Sequence, residues 1–283
     1  MPERLLLCTD LDRTLIPNGA HPESPRARER FAALVAGPGI VLAYVTGRHR
    51  QLVEEAMDQY QLPRPDFVIG DVGTTIYQVE QDGDWQPHKA WEEHISGDWN
   101  GKTNLELQRL LGDVTSLLPQ EESKQNRHKL SYYVARDANR EIIGEAINRR
   151  LQSLAVRARL VWSEDEQAAT CLLDLLPRAA GKYHAVAWLQ RLLGFTDDNT
   201  IFSGDSGNDI EVMASAVPAV LVANSEPAVR EQSQRQAAAA GHSATLYIAR
   251  GGFKSMNGNY SAGILEGIAH YHPALEPSME RRR

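Results

Sequence analysis

The chain has 283 residues, of which 42% are hydrophobic and 24% charged, and a formal net charge of −7. Such a composition belongs to globular proteins, and the length suffices for one large or two medium cores. The acidic balance argues against a nucleic-acid partner, and no stretch approaches the roughly 18 apolar residues of a membrane-spanning helix.

In chain order, "RLLLCTD" (4–10) reads as a strand, and "SPRARERFAALV" (24–35) as an amphipathic helix opened by Ser-Pro. "GIVLAYVTG" (39–47) is a second β-branched apolar run, followed by the helical "RQLVEEAMDQY" (50–60). "PDFVIGDVG" (65–73) is a third strand that ends in a glycine-containing turn. Strands apolar along their whole length and separated by helices predict a parallel sheet covered on both faces.

From about Tyr77 to Leu176 the pattern becomes more polar. A helix over 104–118, the strand "KLSYYVAR" (129–136), a helix over 138–154, and the strands "VRARLVW" (156–162) and "TCLLDLL" (170–176) predict a small α+β insert. Trp85, Trp91, Trp99 and Trp162 fall in or near it and are expected to pack. The first pattern then resumes with a helix over 182–193, strands "NTIFSGD" (199–205), "PAVLVAN" (218–224) and "TLYIAR" (245–250), and helices over 226–240 and 260–271. The expected fold is therefore α/β: a Rossmann-like parallel sheet with helices on both faces (1–78 and 178–283), interrupted by a smaller α+β cap domain (79–177).

The two cysteines, Cys8 and Cys171, lie in apolar runs and read as buried, inert thiols. The nine histidines show no ligand spacing and are expected at the surface or at helix ends. The N-terminus enters "RLLLC" without a cleavage-site pattern, so no signal peptide and a cytoplasmic location are expected. Arg281–Arg283 reads as a frayed end.

Ligands of open parallel sheets bind beyond the carboxyl ends of the strands. The first strand ends on Asp10 and Asp12, the second on Thr46, Gly47 and Arg48, and the strand at 199–204 on Asp205, with Asp209 just beyond. Lys182 opens the helix that follows the insert. Converging carboxylates repel by on the order of 4 kcal/mol per pair at 4 Å and an effective dielectric near 20. One lysine cannot offset several such pairs, whereas a hard divalent cation can; an all-oxygen site with few ligands favours Mg2+.

Rival motifs fail on spacing. An EF-hand beginning at Asp10 needs glycine at 15 and glutamate at 21, where Leu15 and His21 stand. A P-loop ending on Gly181-Lys182 needs glycine at 176 and a hydroxyl at 183, where Leu176 and Tyr183 stand. "GDSGN" (204–208) lacks the last glycine of a nucleophile elbow. The chemistry that uses every piece is phosphoryl transfer. Asp10 attacks phosphorus, Asp12 protonates the departing alkoxide and later serves as base for water, and Lys182 with the metal neutralises the phosphoryl oxygens.

"DLDRTL" (10–15) resembles the DxDxT signature of the haloacid dehalogenase superfamily, and "VTGR" (45–48), Lys182 and "GDSGND" (204–209) resemble its other motifs in order. Within it, "LLLCTDLDRTL", "LAYVTGR", "KLSYY", "DLLP", "FSGDSGND" and "SAGILEGIAHY" are similar to segments of the sucrose-phosphate phosphatases and their relatives. The resemblance implies Mg2+ held by Asp10, the Asp12 main-chain carbonyl and Asp205, with Asp209 in support. It implies phosphate contacts from Thr46, Gly47, Arg48 and Lys182, and substrate contacts from Lys129, Ser163, Asp174 and Asn208. Two segments depart from the family pattern: the acidic "SEDEQAATCLLDLLP" (163–177), without the family's lysine turn, and the long loop "RGGFKSMNGNY" (250–260), a candidate flap or interaction loop.

The expected activity is a Mg2+-dependent phosphatase acting on sucrose 6-phosphate through an aspartyl-phosphate. The alternatives are the same chemistry on a mannosylfructose, glucosylglycerol or trehalose phosphate, and a non-catalytic module that pairs with a sugar-phosphate synthase. The expected partners are a small-molecule sugar phosphate and, as one option, such a synthase. Neither nucleic acid nor membrane is expected, and the chain is expected to be a monomer.

Overall fold

A computed structural model describes residues 4–165 and 170–280. Arg281–Arg283 and positions 166–169 of the acidic stretch lie outside the described residues. Strand β1 (Leu5–Thr9) is buried at every position. Its side chains divide by parity: Leu5 and Leu7 enter one hydrophobic cluster, Leu6 and Cys8 the other. That split is the reason an all-apolar strand needs helices on both faces of its sheet.

Along the chain follow α1 (Ala27–Val35), β2 (Ile40–Val45), α2 (Arg50–Tyr60), β3 (Phe67–Gly70), β4 (Thr75–Val79), β5 (Trp85–Pro87) and α3 (Lys89–Ser96). Next come α4 (Asn104–Leu110), β6 (Leu118–Pro119), β7 (Leu130–Val134), α5 (Arg140–Gln152), β8 (Ala158–Asp165) and β9 (Thr170–Pro177). The chain closes with α6 (Lys182–Leu193), β10 (Thr200–Gly204), α7 (Ile210–Met213), β11 (Ala219–Leu221), α8 (Pro227–Ala239), β12 (Leu246–Ile248) and α9 (Ser261–Tyr271).

The large sheet has the order β12-β11-β10-β1-β2-β3-β4-β5. It is parallel from β12 to β3 and antiparallel at β4 and β5. The strand order reverses at β1, which places the crevice of such sheets beyond Thr9. Helices α1, α2 and α9 cover one face through Phe31, Leu34, Val53, Ile264 and Ile268. Helices α3, α6 and α7 cover the other through Trp91, Ile95, Val186, Leu189 and Met213.

The second sheet, β6-β7-β9-β8, is antiparallel and rests on α4 and α5 through Leu107, Ile143, Ile147 and Leu151. The change of sheet falls later than residue 79. The strand β5 pairs with β4, and Trp85 and Trp91 are buried against the large sheet. Burial of these two indoles in the clusters on either face of that sheet holds the segment there. The helix expected over 104–118 ends at Leu110, where Gly112 follows and the Gly112 amide turns back to the Arg109 carbonyl.

Both cysteines are free and buried, and burial pushes the Cys8 thiol far above its ordinary range. Among the described residues no helix is long and apolar enough to cross a membrane. The 250–260 loop is tied down: the buried Glu266 carboxylate accepts the Arg250 and Gly251 amides (2.8 and 2.9 Å) and the Tyr247 hydroxyl (2.9 Å). Asn257 adds bonds to the Ser24 hydroxyl and the Pro22 carbonyl (2.8 Å each).

His128 departs from the surface expectation. It is buried edge-on against the Trp99 ring (centroids 5.7 Å apart). Burial, with the Arg127 charge nearby, lowers its pKa to about 4. Between about pH 6.5 and 4 the unfolded chain therefore binds a proton that the folded chain refuses, so the His128 share of stability falls as pH drops through that window. Asp10 and Asp205 contribute an opposite slope over the same range, so the His128 share is read as the difference in urea unfolding between the chain and His128→Gln at pH 7 and pH 5. The variant is expected to lose less stability at pH 5, by at most about 1.4 kcal/mol per pH unit, and an identical pH dependence would contradict the assignment.

Candidate active site

The site grows from the end of β1. The Asp10 amide donates to the Ser203 carbonyl (2.8 Å), which ties the acid to the neighbouring strand. The amides of Thr14, Leu15 and Ile16 all fold back on the Leu11 carbonyl (3.2, 3.0 and 2.8 Å). Arg13 takes a left-handed φ of 56° to close that turn. Asp10 is buried and Asp12, two residues on, is partly exposed, so the tight turn sends the two carboxylates different ways.

Lys182, the first residue of α6, is almost wholly buried, with Nζ 3.1 Å from Asp10 Oδ1 and 2.7 Å from Asp209 Oδ1. Asp209 Oδ2 accepts the Asp205 and Ser206 amides (3.1 Å each). It fits there because residue 204 is glycine; a Cβ would run into the Asp209 carboxylate. Asp205 is gripped at both oxygens, by Arg13 Nε (3.0 Å) and by the Thr14 hydroxyl (3.2 Å).

Oxygens of Asp10, Asp205 and Asp209 lie within 4.8 Å of one another, all buried. Burial, partly countered by the Lys182 charge, raises the Asp10 pKa well above the carboxylate range. Burial and the Asp209 charge raise Asp205 to about 7. Burial opposes charge on Lys182, but Asp10 and Asp209 outweigh it and raise that amine's pKa. The negative charge gathered here exceeds what its buried lysine balances. This oxygen-only donor set fits a hard divalent cation.

The Asp12 carboxylate stands apart from that cluster. Arg48 forks onto it (Nε to Oδ2 2.8 Å, Nη2 to Oδ1 2.6 Å), and the Asn18 amide adds a bond of 2.7 Å. Burial pushes the Asp12 pKa up, yet Arg48 and Asn18 together bring it below the ordinary value. Arg48, expected on a phosphate, is thus committed to Asp12 and, through Nη1, to the Leu52 carbonyl (3.1 Å). Thr46 is buried, and its hydroxyl accepts the Arg48 amide (3.2 Å); α2 starts later, without a side-chain cap. Gly47 is exposed at the strand end.

Above this edge lies one face of the cap sheet. Register puts Ser131, Asp174 and Val161 side by side, with Arg159 and Ser163 on the same face. Val161 packs on the core cluster, and Arg159 forks onto Glu211 of α7 (2.6 and 3.1 Å), so this face looks toward the large sheet. Asp174 accepts from the Ser131 hydroxyl (2.5 Å), and burial raises its pKa against the pull of Lys129. Lys129 is buried with Nζ 3.0 Å from Asp71, in the turn after β3. Asn126 donates to the Thr74 hydroxyl (2.9 Å) beside it. Asn208 makes a local bond, accepting from the Ser206 hydroxyl (3.0 Å). Ser163 sits opposite Leu172 in mid-strand, half-buried.

Sequence reasoning passed over Asp71, Arg13, Asn18 and Asn224. Asp71 directly follows a strand's carboxyl end, and that position was the available signal. Asn224 closes the strand run "PAVLVAN" and carried the same signal, whereas Arg13 and Asn18 are recognisable only from the folded turn.

The profile of the family described as "Sucrose-6F-phosphate phosphohydrolase" matches residues 3–272. The chain belongs to that family. It is 48% identical over its whole length to a putative HAD-like hydrolase of Nitrosococcus oceani, covering 76% of that protein. It is 30% identical to sucrose-phosphatase 1 of Nicotiana tabacum over 95% of this chain, but spans just 59% of the tobacco protein. It is also 30% identical to the mannosylfructose-phosphate phosphatase of Agrobacterium fabrum, over 78% of this chain and 84% of that protein. The solved sucrose-phosphatase of Synechocystis sp. PCC6803, in complex with sucrose and phosphate, superposes with a TM-score of 0.76 at 26% identity, covering 95% of this chain and 98% of that one. The family shares the α/β fold with a small antiparallel cap seen here.

The Arg48 fork predicts that Arg48→Met lets burial dominate and raises the Asp12 pKa, readable by carboxyl carbon-13 titration; an unmoved pKa would refute it. The Lys129–Asp71 pair predicts that Lys129→Met, which strands a buried carboxylate, destabilises by about 3–5 kcal/mol in urea unfolding. Adding Asp71→Asn should recover most of that loss, and two additive losses would mean the pair does not act as a unit.

Proposed function

We propose that this chain is a Mg2+-dependent phosphatase of a phosphorylated disaccharide, with sucrose 6-phosphate as its substrate. The observation that supports this best is the meeting of Asp10, Lys182, Asp205 and Asp209 in one buried cluster beneath a polar cap face. The family match and the likeness to a sucrose-bound phosphatase support the sugar.

In this reading the phosphate enters over Thr46 and the exposed Gly47, at the edge where Lys182 supplies its charge. A carboxylate oxygen of Asp10 attacks phosphorus in line with the departing sugar oxygen, and Lys182 offsets the charge gathering on the phosphoryl group. Asp12 delivers a proton to that alkoxide, without which it is a very poor leaving group. Acting as acid requires Asp12 to leave the Arg48 fork. The ionised form that Arg48 favours is the one needed next, when Asp12 takes a proton from water that attacks the aspartyl-phosphate. Asp10, Asp205 and the Asp12 main-chain carbonyl would hold Mg2+, with Asp209 in support. Bound there, the ion supplies positive charge for the phosphoryl oxygens. Ser131, Ser163 and Asp174 on the cap offer hydrogen bonds to sugar hydroxyls, and closure of the cap excludes bulk water.

The likeness to a mannosylfructose-phosphate phosphatase favours that ester as the second candidate. Phosphate release is to be measured with Mg2+ and with EDTA on sucrose 6-phosphate and on mannosylfructose, glucosylglycerol and trehalose phosphates. The expected result is the highest kcat/KM on sucrose 6-phosphate, loss with EDTA, and a drop of about 10^4-fold or more in Asp10→Asn. A higher kcat/KM on another ester would replace the substrate. Turnover that survives Asp10→Asn would overturn the mechanism.

A further inference from the structure

Asn224 follows β11 at the same carboxyl edge and is buried. It spans two strained backbones. Its Nδ2 donates to the Arg13 carbonyl (2.7 Å), a partner 211 residues away in the chain, and its Oδ1 accepts the Tyr260 amide (2.8 Å). Arg13 and Tyr260 both sit at left-handed φ values, 56° and 51°, where non-glycine residues remain only if their surroundings hold them. Tyr260 is fully buried and further fixed by its hydroxyl, which donates to the His21 carbonyl (3.0 Å).

The Arg13 carbonyl belongs to the peptide that joins Arg13 to Thr14. Those two side chains hold the two oxygens of Asp205, at 3.0 and 3.2 Å. The Arg13 amide is fixed separately by the Asn18 side chain (2.8 Å), whose amide group also holds Asp12 (2.7 Å). Rotation of the 13–14 peptide would therefore swing both grips off Asp205 and disturb the turn that separates Asp10 from Asp12. The Thr14 amide, on the Leu11 carbonyl (3.2 Å), holds one side of that peptide, and the Asn224 side chain holds the other.

We propose that Asn224 is a positioning residue: by bridging the Tyr260 amide to the Arg13 carbonyl it fixes the acid-bearing turn and the orientation of Asp205. The 250–260 segment thereby becomes the brace of the catalytic turn. This rests on the catalytic reading of Asp10, Asp12 and Asp205 above.

The test is steady-state phosphatase kinetics with urea unfolding on three variants. Asn224→Ala loses both bonds. Asn224→Asp keeps an acceptor for the Tyr260 amide but cannot donate to the Arg13 carbonyl. Tyr260→Phe leaves the bridge intact, because the bridge uses the Tyr260 main chain. Expected are a fall in kcat of about 10-fold or more in both Asn224 variants, KM within about twofold, and Tyr260→Phe within about twofold of wild type; such a drop in rate corresponds to at least about 1.4 kcal/mol. A merely structural residue would move the unfolding midpoint and leave the kcat of the folded fraction unchanged. Should Asn224→Ala fail to fold, Asn224→Asp carries the same decision. Wild-type kcat in Asn224→Asp would overturn the proposal while leaving the phosphatase reading intact. A wild-type chain without phosphatase activity sinks both.

Discussion

Everything at the cleft follows from concentrating negative charge in a place water scarcely reaches. Asp10, Asp205 and Asp209 meet at the carboxyl edge of the parallel sheet, and the fully buried Lys182 touches two of them. Burial raises the carboxylate pKa values because it removes the hydration that ionised oxygens need, and each neighbouring carboxylate adds to the cost. Such an edge is tolerable only where positive charge arrives from elsewhere. Arg13 grips Asp205, Lys182 links Asp10 to Asp209, and the remaining excess is the physical reason this cleft suits a cation.

The cap is coupled to this charge through its own ion pairs. Lys129 reaches down to Asp71, and Arg159 reaches down to Glu211, on opposite flanks of the cleft's roof. The two pairs differ in kind. Lys129 and Asp71 are both about 5% exposed, so their pair is shielded from water, whereas Glu211 is 43% exposed and its pair is screened by solvent. The firm attachment of cap to core is therefore the one beside Asp71. Behind it, Gly73 meets Gly181 backbone to backbone with no room for a Cβ, so the Asp71 turn also backs the start of α6 and Lys182.

Much of the fold was legible before any coordinates. Runs such as "RLLLC" and "GIVLAYV", apolar at every position, require two covered faces, and helical stretches between them supply the cover. The errors came where pattern and packing disagree. Trp85 and Trp91 lie in a more polar stretch but are buried in the two clusters that flank the large sheet, whereas Trp99 is buried in the cap. His128 looked like any loop histidine until the fold set Trp99 against it.

The sequence by itself determined which chemistry-bearing residues reach the sheet's carboxyl edge, because apolar strand runs end where Asp10, Thr46 and Asp205 begin. It could not determine their pairings. The turn of Asp12 toward Arg48 and away from the acid cluster, the burial of Lys129 against Asp71, and the hold of Asn224 on Arg13 were decided by tertiary structure. Each depends on the dihedral angles of a tight turn and on side chains brought together across 36, 58 or 211 positions of chain, here 48 − 12, 129 − 71 and 224 − 13. No local pattern encodes a meeting over such separations; it is set by how the strands stack and where their turns point.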